Sequence, residues 1–67
     1  MDSFGQRLKD LMIESKIGQI QLAKEIRVGK SIISLWEQDK CEPTLSKLIL
    51  LSNYFKVSID YLAGLDD

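Results

Sequence analysis

The sequence predicts an all-α fold, a compact five-helix bundle, and three observations carry that prediction. Apolar residues recur at helical spacing in five separate stretches, no stretch alternates apolar and polar residues as a half-buried strand would, and the breaks fall on short polar or glycine-bearing segments. At 67 residues the chain reads as a single domain, residues 1–67. A domain of this size buries only about 60% of the surface its unfolded form exposes.

Ser3 followed three residues later by Gln6 is a capping-box signature, and Phe4, Leu8, Leu11 and Met12 then repeat on one face. Helix one is therefore expected from about Phe4 to Ser15. Lys16, Ile17 and Gly18 form a short link in which Ile17 turns inward, and Gly18 serves as an N-cap with no side-chain oxygen. Helix two starts at Gln19 and ends near Ile26, with Leu22, Ala23 and Ile26 at helical spacing. The following turn suits a residue with positive φ, for which glycine is the natural choice, yet Arg27 stands there, so backbone strain is expected. Gly29 opens helix three, which extends to about Glu37 with Ile33 and Trp36 inward and stops in the polar run Gln38, Asp39, Lys40, Cys41, Glu42.

Pro43 and the N-cap Thr44 announce helix four, where Leu45, Leu48, Leu51 and Phe55 give a core stripe that Ile49, Leu50 and Tyr54 widen. Ser58 caps the last helix, Asp60 sits in its first turn where a carboxylate suits the helix dipole, Ile59 and Leu62 supply apolar contact, and Gly64 ends it. Within this series the stretch Gln19 to Gln38 stands out as two short helices separated by one abrupt break. Ala23 is small enough to let the second helix of the pair cross close over the first. That is the pattern of a helix-turn-helix.

Composition narrows the function. A single cysteine, Cys41, excludes an internal disulfide, and with no histidine the usual zinc ligand sets cannot be assembled, so no metal and no cofactor is expected. No nucleophile has a base beside it and no Gly-rich phosphate loop is present, which argues against an enzyme. No apolar run reaches the roughly 18 residues of a membrane span, and MDSFGQRLKD lacks the basic start and apolar stretch of a signal peptide, so a soluble cytoplasmic protein is expected. The formal charge of −1 excludes a protein that coats nucleic acid by bulk attraction. Charge is nonetheless uneven: Lys16 to Lys40 holds five basic residues against three acidic ones, while Asp60, Asp66 and Asp67 make the tail acidic.

Taken together, Gln19, Leu22, Ala23, Ile26 and Val28, then Ile33, Trp36 and Glu37, then Pro43, and the closing stretch Tyr54 to Gly64 resemble the repressor/Cro-like helix-turn-helix family of phage repressors, small bacterial regulators and many antitoxins. The resemblance covers nearly the whole chain. It implies a lambda-repressor-like DNA-binding domain, hence a sequence-specific transcriptional regulator, in the first instance a repressor, that lays helix three in the major groove of double-stranded DNA. Lys30, Ser31, Ser34 and Leu35 are then the outward positions that read bases, with Ile32 nearer an edge. Lys30 suits guanine O6 and N7, the two serines suit base edges or phosphate, and Leu35 suits a thymine methyl. Gln19 at the start of helix two, with Lys40, Arg27 and Lys24 nearby, is expected at phosphates.

Three departures from the family pattern are visible. Met12 stands where many members carry an arginine that pairs with the glutamate after the tryptophan, so Glu37 is expected to be partly exposed or paired with a nearby lysine or with backbone N–H groups. Arg27 and Lys56 occupy positions that commonly hold glycine. Gly18 and Gly29 replace threonine or serine caps. A homodimer is expected through the apolar breadth of helix four and the tail, in particular Leu50, Tyr61 and Leu65, with Ile59 and Leu62 beside them; two recognition helices would then lie about 34 Å apart on a palindromic site. The alternative reading is a helical interaction module such as an antitoxin bound to a toxin partner, which the apolar Ile20, Ile32, Leu35, Ile49 and Leu50 would serve.

Overall fold

The computed structural model describes residues 2–65, which form five α-helices: α1 (Phe4–Ser15), α2 (Gln19–Ile26), α3 (Lys30–Glu37), α4 (Leu45–Phe55) and α5 (Ile59–Ala63). There is no strand among the described residues, and the helix bounds are those the sequence predicts. No helix is long and apolar enough to cross a membrane. Three helix starts are capped by side chains, Ser3, Thr44 and Ser58 accepting from the N–H groups of Gln6, Lys47 and Tyr61. Each cap satisfies one backbone donor that the helix itself leaves unpaired.

All five helices end the same way. A residue in the left-handed region follows each one: Lys16 (φ 56°), Arg27 (φ 60°), Asp39 (φ 58°), Lys56 (φ 59°) and Gly64 (φ 78°). The next N–H then folds back onto a carbonyl five residues earlier, Ile17 to Met12, Val28 to Ala23, Lys40 to Leu35, Val57 to Ser52 and Leu65 to Asp60, at 2.9–3.1 Å. These are Schellman closures, and glycine fills the left-handed position in one of them. A side chain there costs about 1–2 kcal/mol, whereas a cation at a helix C-terminus returns only about 0.3–1 kcal/mol. The strain expected at Arg27 is thus present and is repeated at Lys16, Asp39 and Lys56.

The core gathers Leu8, Leu11 and Met12 of α1, Ile17 of the link, Leu22, Ala23 and Ile26 of α2, Ile33 and Trp36 of α3, Leu51 of α4 and Leu62 of α5. Trp36 meets Phe4 edge-on, ring centroids 6.0 Å apart at 74°. Two expectations about the apolar surface are corrected. Leu45 is 68% exposed, because 100° per residue sets it about 120° round α4 from the buried Leu51. Leu62 is fully buried rather than part of an exposed tail, since α5 has five residues and Leu62 is the one it drives into the core.

Three long-range polar contacts lock the bundle. Asp39, just past α3, accepts from the Ser3 hydroxyl at 2.6 Å and from the Gly5 N–H at 2.9 Å, so the end of α3 caps the start of α1. The Lys47 ammonium of α4 donates to the carbonyls of Ile26 at 3.0 Å and Arg27 at 3.4 Å, closing the C-terminus of α2. Arg7 of α1 donates to the Tyr61 carbonyl at 2.9 Å and lays its guanidinium 4.4 Å from the centre of the Tyr61 ring.

Gly5 lets α1 and α3 approach. A Cβ at this position would lie 2.6 Å from the carbonyl oxygens of both Trp36 and Glu37, backbone atoms that cannot swing aside. Gly5→Ala is expected to lower stability by about 2–3 kcal/mol, the upper part of the overpacking range, in urea unfolding. Asp39 yields a prediction in pH. The hydrogen bonds from Ser3 and Gly5 hold its carboxyl below the usual carboxylate range, with Lys9 adding a smaller attraction. A lowered folded pKa means stabilisation that is complete above the unfolded value near 4 and lost as pH falls through the folded one. In thermal melts, Asp39→Asn is expected to be less stable than the unaltered chain at neutral pH, with the gap closing below about pH 4.

Candidate nucleic-acid interface

α3 divides into two faces. Ile33 and Trp36 point into the core, and Ile32 and Leu35 are half-buried rather than exposed, because Ile32 also packs against that core. Lys30 and Ser31 are exposed, and Ser34 is half-buried. With Gln19 from the start of α2, the residues Lys30, Ser31, Ser34 and Leu35 line a single open recess. The fold therefore brings the four expected base-reading positions together with one of the expected phosphate positions. Lys24, Arg27 and Lys40 are exposed and lie outside this recess.

The chemistry of the recess is mixed: one ammonium, two hydroxyls, one amide and one isobutyl group. Ser34 Oγ accepts from the Gln38 side chain at 3.0 Å, which leaves its own proton free to donate. Gly29 precedes Lys30 as a cap with no side-chain hydrogen bond, and Gly18 does the same before Gln19. Both helices at the recess consequently begin with backbone N–H groups that no side-chain cap engages.

Glu37, at the last turn of α3, is half-buried and accepts from Gln19 Nε2 at 2.6 Å. The expected partial exposure of Glu37 is present, and its partner is a side-chain amide in place of the lysine or backbone N–H groups of the alternative. Met12 offers no side-chain hydrogen-bond donor, and the amide across the helix pair supplies one. Three contributors escaped sequence reasoning: Gly5, Asp39 and Lys47. Each left a signal. A glycine in the first turn of a good helix marks close approach, and a lysine in the first turn of α4 opposes that helix's own dipole, which suggests service to another helix.

The sequence model of the helix-turn-helix family matches residues 8–62. This chain belongs to the helix-turn-helix family. Among family members it is 39% identical over 62 residues to the HTH-type transcriptional regulator YobD of Bacillus subtilis (strain 168), covering 92% of this chain and 55% of that protein. It is 35% identical over 65 residues to the HTH-type transcriptional regulator ImmR of the same organism, covering 97% of this chain and 51% of the relative. The chain thus spans about half the length of these curated relatives. Among solved helix-turn-helix structures, the P22 c2 repressor protein in complex with synthetic operator 9T superimposes with a TM-score of 0.92 at 33% identity, over 98% of this chain and 100% of that one. The lambda-repressor-like fold and the repressor-type resemblance read from the sequence both stand.

Gly18 provides a stability test at this end of the molecule. Its backbone is extended (φ −93°, ψ 176°) and a Cβ would meet nothing within 4 Å. Gly18→Ser is expected to raise stability by about 0.5–1 kcal/mol, a few tenths from the new cap and the rest from a less flexible unfolded chain. Chemical denaturation of the two proteins side by side checks it.

Proposed function

We propose that the chain binds double-stranded DNA sequence-specifically as a transcriptional regulator of the repressor type, with α3 in the major groove. One observation carries this reading: Lys30, Ser31, Ser34 and Leu35 share one open recess on the face of α3 opposite the buried Ile33 and Trp36. A major groove about 12 Å wide accepts one helix, and the face that enters it is the one the core does not hold. Lys30 donates to guanine O6 and N7, Ser31 and Ser34 bond base edges or phosphate, and Leu35 meets a thymine methyl.

Around the recess, Gln19 approaches a phosphate with its side chain and with the unengaged N–H groups at the start of α2. Lys40, Arg27 and Lys24 supply further phosphate contacts. The near-neutral charge of the chain means that affinity rests on these few cations and on shape. Nothing in this role requires a cofactor or a catalytic group.

The protein acts as a homodimer in this reading. Leu50 is 41% exposed and Leu65 is 76% exposed, with Ile49 and Tyr54 also open to solvent, apolar side chains that a monomer leaves wet. Tyr61 contributes less, because its ring is already covered by Arg7. The second reading, a protein-interaction module of antitoxin type, draws on Ile20, which is 59% exposed on α2.

Selection of bound DNA from a random library, followed by fluorescence-anisotropy titration, tests the function. A Lys30→Ala, Ser31→Ala double variant is expected to lose about 1–3 kcal/mol of discrimination at one or two base positions. Lys40→Ala is expected instead to weaken all sequences alike and to reduce the salt slope of binding by about 1. Selection of no consensus by the unaltered chain, with binding insensitive to salt, would refute the reading in favour of a protein partner.

A further inference from the structure

Gln19 stands between two hollows. It lines the recess with Lys30, Ser31, Ser34 and Leu35, and it also lines a groove that contains Met12 and Glu37. On the groove side its Nε2 donates to Glu37 Oε1 at 2.6 Å, the short distance of a hydrogen bond to a charged acceptor. A carboxylate can only accept. The Gln19 amide must therefore turn its nitrogen toward Glu37 and its oxygen onto the other branch of the fork. A glutamine without such a neighbour exchanges freely between the two orientations; Glu37 removes one of them.

The contact is not the main tie between α2 and α3. Leu22, Ala23, Ile26, Ile33 and Trp36 already join the two helices through the core. Its effect falls on the amide itself, leaving one N–H of defined direction for an acceptor such as a phosphate oxygen. Pre-setting a donor removes the ordering cost that a free side chain meets on binding.

We infer that Glu37 is a positioning residue for DNA binding, acting through the Gln19 amide rather than by touching DNA. The assignment rests on the DNA-binding reading above. Glu37 also places a negative charge near the nucleic acid, so its removal alone raises affinity, and the bond has to be isolated by comparing two neutral substitutions.

Glu37→Gln keeps an oxygen that accepts from Gln19, though its amide also donates and so fixes the orientation less strictly than the carboxylate, whereas Glu37→Met has similar length and only a weak sulfur acceptor. Against the DNA site that the unaltered chain selects, E37M is expected to bind about fivefold to tenfold more weakly than E37Q, the span of one ordinary hydrogen bond. In a Gln19→Ala background that difference is expected to vanish. In the free protein, the Gln19 side-chain amide protons are expected to stand apart in nuclear magnetic resonance from those of the exposed Gln21, and this requires no variant to fold. Equal binding by E37M and E37Q, a difference that persists without Gln19, or Gln19 amide protons matching those of Gln21 would each overturn the positioning role while leaving DNA binding intact. Failure of the unaltered chain to select any DNA would remove the DNA-binding reading and this assignment with it.

Discussion

α1 and α3 meet at Gly5, and the placement of the surface helix follows from that meeting. With a hydrogen in place of a side chain, the first turn of α1 comes against the carbonyls of Trp36 and Glu37. Asp39 then reaches the Ser3 hydroxyl and the Gly5 N–H. The exit of α3 is thus fixed by backbone contact and by a shared cap, while Trp36 and Ile33 fix its inner face. Its outer face is left where groove-sized ligands can reach it.

A second constraint is how sharply the chain must turn. Five helices of 5–12 residues leave connections that are mostly very short. Each is reversed by the same left-handed closure, at four positions without glycine. Three of these four are cations, which complement the C-terminal carbonyls and offset part of the strain. Lys47 adds a further cation to the end of α2 from α4. The turn of the helix-turn-helix is therefore stabilised electrostatically from two directions, by Arg27 within it and by Lys47 across it.

Met12 offers Glu37 no side-chain donor, which shapes the polar contacts behind the recess. Glu37 takes the Gln19 amide as its donor, which ties the last turn of α3 to the first residue of α2. Both ends of the helix pair are then joined, by Val28 and the core at the turn and by this hydrogen bond at the far side. The recess lies between those ties, with Lys30 and Ser31 at its exposed rim.

Helix bounds, caps and the left-handed Arg27 were legible in the sequence because each depends on neighbours within about five residues along the chain, which is the range of capping and Schellman hydrogen bonds. The grouping of Lys30, Ser31, Ser34 and Leu35 on one face was legible for the same reason, since helical periodicity sets it. Burial of Leu62, exposure of Leu45, the covering of Tyr61 by Arg7, the capping of α1 by Asp39 and the pairing of Glu37 with Gln19 were not. Each joins residues on different helices, or depends on which side of a helix a neighbour covers, and no local spacing encodes that. The sequence by itself determined five helices, their ends and their amphipathic faces; the packing of α1 on α3 through Gly5 decided which of those faces became core and which remained free to bind.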